Sequence, residues 1–323
     1  MGADAMTLLY QEQPVFLYGF YYRLGSEQRE LAELKASGLL AGDVETLRAT
    51  GYRFCFKLSE QESLVSLAAQ PLASALQEAG SPRVLIFQHC NAESAVLPCA
   101  PGDAIGASRN QYFAAAVMHS LNLDDLPYLC SFASGCAGFL SLLIAAGGLA
   151  SVPDERPTIC VMADSQPPGM PLDLLRERIL GTDHSSAFIV GREKRGYQLM
   201  GISYYSTVRK LVPLVEIVQR TVEMIERLTS DLGLNPKDCD AVIHYPNIFP
   251  ETWKMVTRYL SFGQMEHVLE GMPERAHCGA TDSVISLANR HRCQEGRLHV
   301  VVNYGVGLHL GVCILREDGS HGA

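Results

Sequence analysis

The sequence predicts an α/β protein with helices packed over sheets, and three observations predict it. Short runs rich in branched apolar residues, VLIFQH at 84–89, TICVMAD at 158–164, SAFIVG at 186–191 and HVVVNY at 299–304, read as buried strands. Between them lie stretches of helical period, above all 213–232, where Leu214, Val218, Val222, Ile225 and Leu228 fall on one face. The third is Ser131 to Leu149, SFASGCAGFLSLLIAAGGL, which is apolar on nearly every side. A helix without a polar face must be buried all round, and this one is too short to span a bilayer. Strand and helix alternating in this way imply helices over largely parallel sheets.

Taken in order, PVFLYGF at 14–20 reads as a first strand, and 27–50 as charged and partly helical with a break near Gly38 and Gly42. From Leu58 to Gly80 the apolar spacing is helical, and Ser59 with Glu62 three residues on resembles a capping box. The strand at 84–89 is followed by a loop rich in Pro, Gly and Ala from Pro98 to Ala107, then a helix near Gln111 to Leu121. After PYLCSF comes the helix opened by Cys136, then the strand at 158–164. SAFIVG and GISYYS precede the long amphipathic helix. AVIHY, a helix through Trp253 to Leu260, a loop, a short helix from Asp282 and the strands HVVVNY and GVCILR complete the chain. The second part repeats the order of the first. The expected division is therefore into halves 1–190 and 191–323, closely packed, since no linker-like segment separates them near Gly191.

With 323 residues, 47% of them hydrophobic, the chain buries a large core. Its net charge of −9, with no clustered lysine and arginine, excludes general nucleic-acid binding. The ten cysteines stand singly, without CxxC or metal-ligand spacing to histidine, so no metal is expected. No apolar leader and no membrane-length segment are present, and the expectation is a protein of the reducing cytoplasm.

Cys136 stands between small residues at the start of the apolar helix, where unpaired N–H groups and the helix dipole favour thiolate over thiol. A buried cysteine is ordinarily a small hydrophobe. Here Gly135 and Gly138 permit a sharp turn and close approach of a substrate, which makes Cys136 a candidate nucleophile. His244 ends the strand AVIHY, at the carboxyl edge where α/β folds bind ligands, and is either a proton carrier or a ring that satisfies a loop carbonyl. Asn247 is able to donate to a substrate carbonyl or to hold the turn before Pro250. In AHCGATDSVISLA, Asp282 is able to cap the following helix or to orient His244 and stabilise its imidazolium. Glycines 305, 307 and 311 in NYGVGLHLG let backbone amides point into a cleft, as an oxyanion site requires.

The order of these pieces carries more than any one of them. ASGCAGF, GTDHSSAFIV, a helix leading into AVIHYPN, a small-residue loop opening a helix, and YGVGLHLG together resemble the β-ketoacyl synthase III branch of the thiolase superfamily, most clearly from Leu129 to Ile314. The resemblance implies a five-layer αβαβα thiolase fold built from two similar halves, and a homodimer. Position by position it implies Cys136 as acylated nucleophile and His244 as acid and base in an HxxN turn. It further implies Asn247, Gly305 and Gly307 beside the pantetheine arm, and the backbone N–H groups of Cys136 and Val306 as oxyanion hole. No permanently bound cofactor is implied; an acyl-CoA or acyl-carrier-protein thioester is the substrate.

The departures steer the expected chemistry. Condensing members carry an asparagine in a GNTS-like motif, where this chain reads CGATDS, and Asp282 resembles the acidic residue of a branch that transfers acyl groups to hydroxyl or amine acceptors. A carboxylate raises the basicity of a histidine and would repel an enolate. The expectation is an acyltransferase of specialised metabolism with a Cys136, His244 and Asp282 set. A Claisen-type condensing enzyme and a catalytically silent partner subunit are the alternatives, and hydrolysis fits poorly with the apolar surroundings of Cys136. No tryptophan matches the one that stacks on coenzyme A in housekeeping members, Trp253 lying elsewhere, and Phe249 or a neighbour replaces their carrier-docking arginine. Arg209, Lys210, Lys254 and Arg258 are the substitute patch for carrier docking, or simply a solvated face.

Overall fold

The structure, a computed structural model, describes residues 5–90, 112–131, 134–150, 152, 154–167, 170–174, 178–209, 212–269, 271–290, 295–305 and 307–318. Its first part runs β1 (Met6–Leu9), β2 (Val15–Leu24), β3 (Glu27–Glu30), α1 (Leu31–Ala36), α2 (Val44–Thr50), β4 (Phe54–Lys57), α3 (Leu64–Ala79), β5 (Val84–Gln88), α4 (Phe113–Ser120) and β6 (Tyr128–Ser131). A 3-10 turn, Gly135–Ala137, leads into α5 (Gly138–Ala150), followed by β7 (Thr158–Asp164), β8 (Asp173–Leu174), β9 (Ile179–Leu180) and β10 (His184–Gly191). Then come β11 (Tyr197–Ser206), α6 (Leu214–Asp231), β12 (Asp240–His244), α7 (Pro250–Tyr259), β13 (Gln264–Val268), α8 (Met272–Arg275), α9 (Thr281–Arg290), β14 (Leu298–Gly305) and β15 (His309–Glu317).

The strands lie in the order β13-β12-β14-β15-β11-β2-β10-β7-β5-β6, with β1 added beside β11. Among the described residues, the two five-stranded parts of this array are joined where Tyr197–Leu199 pairs with Val15–Leu17. Each part has the same plan. β2, β10, β7, β5 and β6 correspond in place and direction to β11, β15, β14, β12 and β13, and α3, α4 and α5 to α6, α7 and α9.

Side-chain alternation along the strands produces five layers. On β7, Cys160 and Met162 point into a central core with Phe139, Leu140 and Leu143 of α5 and Val284 and Leu287 of α9. Ile159, Val161 and Ala163 point the other way, against Leu67, Ala68 and Leu72 of α3 and Val117 of α4. On β14, Val301 faces the central core while Val300 and Val302 pack against Ile225 and Leu228 of α6 and Val256 of α7. The helix that follows Cys136 is thus buried over most of its surface between two sheets, while Ala145 and Gly148 on one side are exposed and Ser141, Ile144 and Leu149 are half-buried. Among the described residues no helix is long and apolar enough to cross a membrane.

Three expectations need correction. The sheets are mixed rather than largely parallel: β5 pairs parallel with β6 and β7, and β12 with β13 and β14, whereas β2, β10, β11 and β15 run antiparallel to their neighbours. The connection from Gly305 to His309 is too short for a crossover, so β14 and β15 must be antiparallel. The helix expected to start beside Ser59 starts at Leu64, capped by Ser63 and Ser66. Glu62 does meet Ser59, its Oε2 accepting from the Ser59 amide at 2.9 Å and from that of Ser26 at 3.1 Å, but the pair closes a turn ahead of the helix rather than capping it. Finally β6, left unassigned, and β13, expected as loop, are sheet edges with mostly exposed residues, and β13 carries no apolar run to announce it.

Candidate active site

Cys136 sits where the end of β5, the end of β14 and the first turn of α5 converge. Gly135 adopts φ +51, a conformation that favours glycine. A Cβ on Gly305 would strike the carbonyl oxygen of Ser134 and the amide nitrogen of Ala137, so β14 lies directly against the cysteine turn. A Cβ on Gly138 would strike the side chain of Gln88, whose Nε2 donates to the carbonyl of Gly135 at 3.2 Å. These glycines are small because backbone and side chain of other strands occupy the space beside them.

The imidazole that meets Cys136 belongs to His277. Its Nε2 lies 3.1 Å from Cys136 Sγ and its Nδ1 2.6 Å from Asp282 Oδ2. Asp282, in the first turn of α9 and 2% exposed, also takes hydrogen bonds from the guanidinium of Arg275 and from the amides of Asn247 and Cys278, at 3.0 and 3.2 Å for the last two. The backbone of His277 is stitched to the segment after β9: its N–H donates to Leu180 O at 2.9 Å and its carbonyl accepts from Thr182 N at 3.0 Å. Ala276, just before it, has φ 54 and ψ −150, a region essentially reserved for glycine and costing on the order of 1–3 kcal/mol. The Asn247 side chain holds that strained peptide, donating from Nδ2 to Ala276 O at 3.0 Å.

The electrostatics describe an ion pair at rest. A hydrogen bond from the Cys90 thiol, together with the charge on His277, holds the Cys136 thiol well below its ordinary range despite burial. Burial alone would push His277 down; the Cys136 sulfur and the Asp282 carboxylate outweigh it and raise the ring to about 10. Burial works against Asp282 as well, yet Arg275 and His277 keep its carboxyl well below the carboxylate range. Thiolate, imidazolium and carboxylate therefore stand in line, with a second cation behind the carboxylate. A pocket of about 190 Å³ opens on the sulfur, lined by Cys136, His277, Cys90, Asp164, His184 and Gly279 among others.

Cys136 and Asp282 are thus brought together as expected of one site, but His244 is not the residue that joins them. His244 is 1% exposed, with Nδ1 2.6 Å from Ser286 Oγ and Nε2 2.9 Å from His299 Nδ1, and His299 in turn meets Glu317 at 3.2 Å. Alternation explains this: Ala241 and Ile243 pack outward against α6 and α7, so His244 points inward beneath α9. Asn247, expected beside pantetheine, is 1% exposed and spends both its backbone and side-chain N–H groups on Asp282 and Ala276. Gly305 packs under the cysteine turn, Gly307 has φ +100, and Val306 lies outside the described residues. In the expected basic patch, Arg209 pairs with Glu216 and Lys254 with Glu251, while Lys210 lies outside the described residues. Trp253 is fully buried, stacked on Tyr245 and donating to Ile248 O at 2.6 Å.

Besides His277, sequence reading missed Cys90, Arg275 and His184. A histidine five residues before a helix-opening aspartate, with an arginine two further back, was the available signal in RAHCGATD.

No protein-family model matches the sequence, and no curated protein does. Solved structures are similar over nearly the whole molecule. The acyltransferase ChlB3 superposes with a TM-score of 0.73 at 16% identity, covering 94% of this chain and 98% of that one. 3-Oxoacyl-(acyl carrier protein) synthase III of Pseudomonas aeruginosa PAO1 gives 0.72 at 17% identity over 95% and 99%. OleA of Xanthomonas campestris, as a cysteine-to-serine variant with bound lauric acid and lauroyl-CoA, gives 0.69 at 12% identity over 94% and 99%. The likeness establishes the fold: this chain has the five-layer thiolase fold of those proteins.

Proposed function

We propose that this chain is a thioester-dependent acyltransferase with Cys136 as nucleophile, His277 as proton carrier and Asp282 as the group that positions and charges His277. The observation that carries this reading is the unbroken line from Cys136 Sγ through both ring nitrogens of His277 to Asp282 Oδ2, at 3.1 and 2.6 Å. The donor is an acyl-CoA or acyl-carrier-protein thioester, and OleA, with its bound lauroyl-CoA, offers a precedent on the same fold.

The charge cycle follows from the pair. The Cys136 thiolate adds to the thioester carbonyl; as the donor's C–S bond breaks, the leaving thiolate takes the proton from His277. Once the sulfur is acylated, its negative charge no longer holds a proton on His277, and the ring becomes the neutral base that the second step needs. A hydroxyl or amine acceptor then gives its proton to His277 Nε2 as it attacks the acyl-cysteine, and the ester or amide departs with the thiolate restored. Asp282 is saturated by four donors and acts through the ring rather than on the substrate. It does not face a carbanion directly, so selection of an O–H or N–H acceptor rests on the basicity it lends His277.

The proposal extends to a homodimer through β6, a sheet edge on which Tyr128 and Leu129 are exposed. Exposure to acetyl-CoA and octanoyl-CoA, read by intact-protein mass, tests loading: an acyl adduct abolished by Cys136→Ala is expected, and its absence with both donors overturns the reading. Supplying malonyl-CoA to the loaded protein separates the chemistries. Release of carbon dioxide with a product two carbons longer contradicts acyl transfer in favour of condensation.

A further inference from the structure

The pocket beside Cys136 contains a second histidine that the reaction above does not use. His184, at the start of β10, is 2% exposed and lines the pocket together with Cys136, His277 and Gly279. Its Nδ1 lies 3.0 Å from Thr281 Oγ1, and Thr281 Oγ1 lies 2.8 Å from Ser186 Oγ. Its Nε2 has no hydrogen-bond partner among the described residues and opens above Gly279, where even a methyl group would come within 2.9 Å of it.

The proton on this ring is placed by the hydroxyls behind it. Ser186 and Thr281 are both fully buried, and Thr281 is the partner that Ser186 Oγ has among the described residues. If Thr281 donated to Ser186, the Ser186 hydrogen would be buried without an acceptor, a loss of about 1–3 kcal/mol. If Ser186 donates to Thr281, Thr281 donates to His184 Nδ1 and every hydroxyl hydrogen is used. That arrangement leaves Nδ1 an acceptor and puts the ring proton on Nε2, facing the pocket. Burial, only partly offset by Asp282 and aided by the nearby cations His277 and Arg275, pushes the ring down to about 3, so it remains neutral at working pH.

We propose that His184 Nε2–H is an oxyanion donor for the acyl carbonyl, a further catalytic residue of this site. A neutral, buried N–H held by a relay from the opposite side polarises a carbonyl without itself giving up a proton. As Cys136 S⁻ adds to the carbonyl carbon, the π pair moves to oxygen and the charge is met by Nε2–H; on collapse the pair returns and the leaving group departs. Gly279 is small because a side chain there would fill the space where that oxygen sits.

This inference rests on the reading of Cys136 as an acylated nucleophile, and two electrophiles separate the ideas. p-Nitrophenyl acetate acylates the sulfur through a tetrahedral oxyanion, whereas iodoacetamide alkylates it by direct displacement with none. His184→Leu is expected to slow the nitrophenol burst about 100-fold and to leave the iodoacetamide rate at the wild-type value. His184→Gln, which keeps an N–H donor, is expected to recover part of the burst. Should the leucine variant not fold, His184→Asn, whose amide is too short to reach the carbonyl, is expected to show the same selective slowing. A burst unchanged in the leucine or asparagine variant, or an equal loss of acylation and alkylation, overturns the role of His184. Absence of any burst on Cys136 in the wild type overturns the acyltransferase reading itself.

Discussion

Asp282→Asn perturbs the site with least change of shape. The carboxylate accepts four hydrogen bonds, from His277 Nδ1, Arg275 and the amides of Asn247 and Cys278. An asparagine presents one acceptor oxygen, and its NH₂ group must face one of those donors. Two cations, His277 and an Arg275 side chain only 12% exposed, are left facing each other without the charge between them. Removing one partner of such a buried pair costs about 3–5 kcal/mol of stability. For the reaction, loss of the group that holds His277 protonated and oriented is expected to slow acyl transfer about 10²–10⁴-fold. The pH profile gives the more specific reading. Loading needs thiolate and imidazolium together, so its alkaline limb follows His277, raised to about 10 in part by Asp282. Without that charge the limb is expected to move down towards neutrality. Loading rates measured by intact mass from pH 6 to 10.5, beside thermal melts, provide the assay. An alkaline limb and rate equal to wild type would refute the reasoning.

Three further outcomes follow. Cys90→Ala removes the thiol whose hydrogen bond contributes most to holding Cys136 low, so the acid limb of iodoacetamide alkylation is expected to shift upward, with Cys90→Ser largely restoring it. Gly305→Ala places a methyl against the Ser134 carbonyl and the Ala137 amide; a loss of about 1–3 kcal/mol in denaturant unfolding, with slower acylation of Cys136, is expected. Because His277 is raised in the folded state, its contribution to stability is complete below pH ~6.5 and is lost as pH rises through about 10. The Cys136 thiol, held low in the same state, offsets this until the unfolded thiol ionises at pH ~8.5, so the wild-type melting temperature should fall most steeply between there and about 10, and more steeply than in His277→Gln.

The fold was legible because its buried strands are branched apolar runs and α5 is apolar over most of its surface, features imposed by lying between layers. The edge strands β6 and β13 were not, since a strand with one neighbour and exposed faces needs no such run. In the site, Cys136 and Asp282 could be read from small-residue turns that open helices. The histidine could not be read from strand position alone. His244 ends β12, whereas His277 lies in the short connection between α8 and α9, bridged to Gly181. His244 alternates into the layer beneath α9, while the strained Ala276 peptide and the contacts of His277 with Leu180 and Thr182 turn the other ring towards the sulfur. Those contacts come from a distant part of the chain, and no local pattern encodes them.

The assignment of His277 over His244 is tested most directly by the rate of Cys136 acylation from acetyl-CoA in His277→Gln and His244→Gln, each verified as folded by its thermal melt. Loading that falls by at least 100-fold in His277→Gln and stays near the wild-type rate in His244→Gln is the expected result. The reverse pattern, or an adduct that persists in Cys136→Ala, would contradict the account.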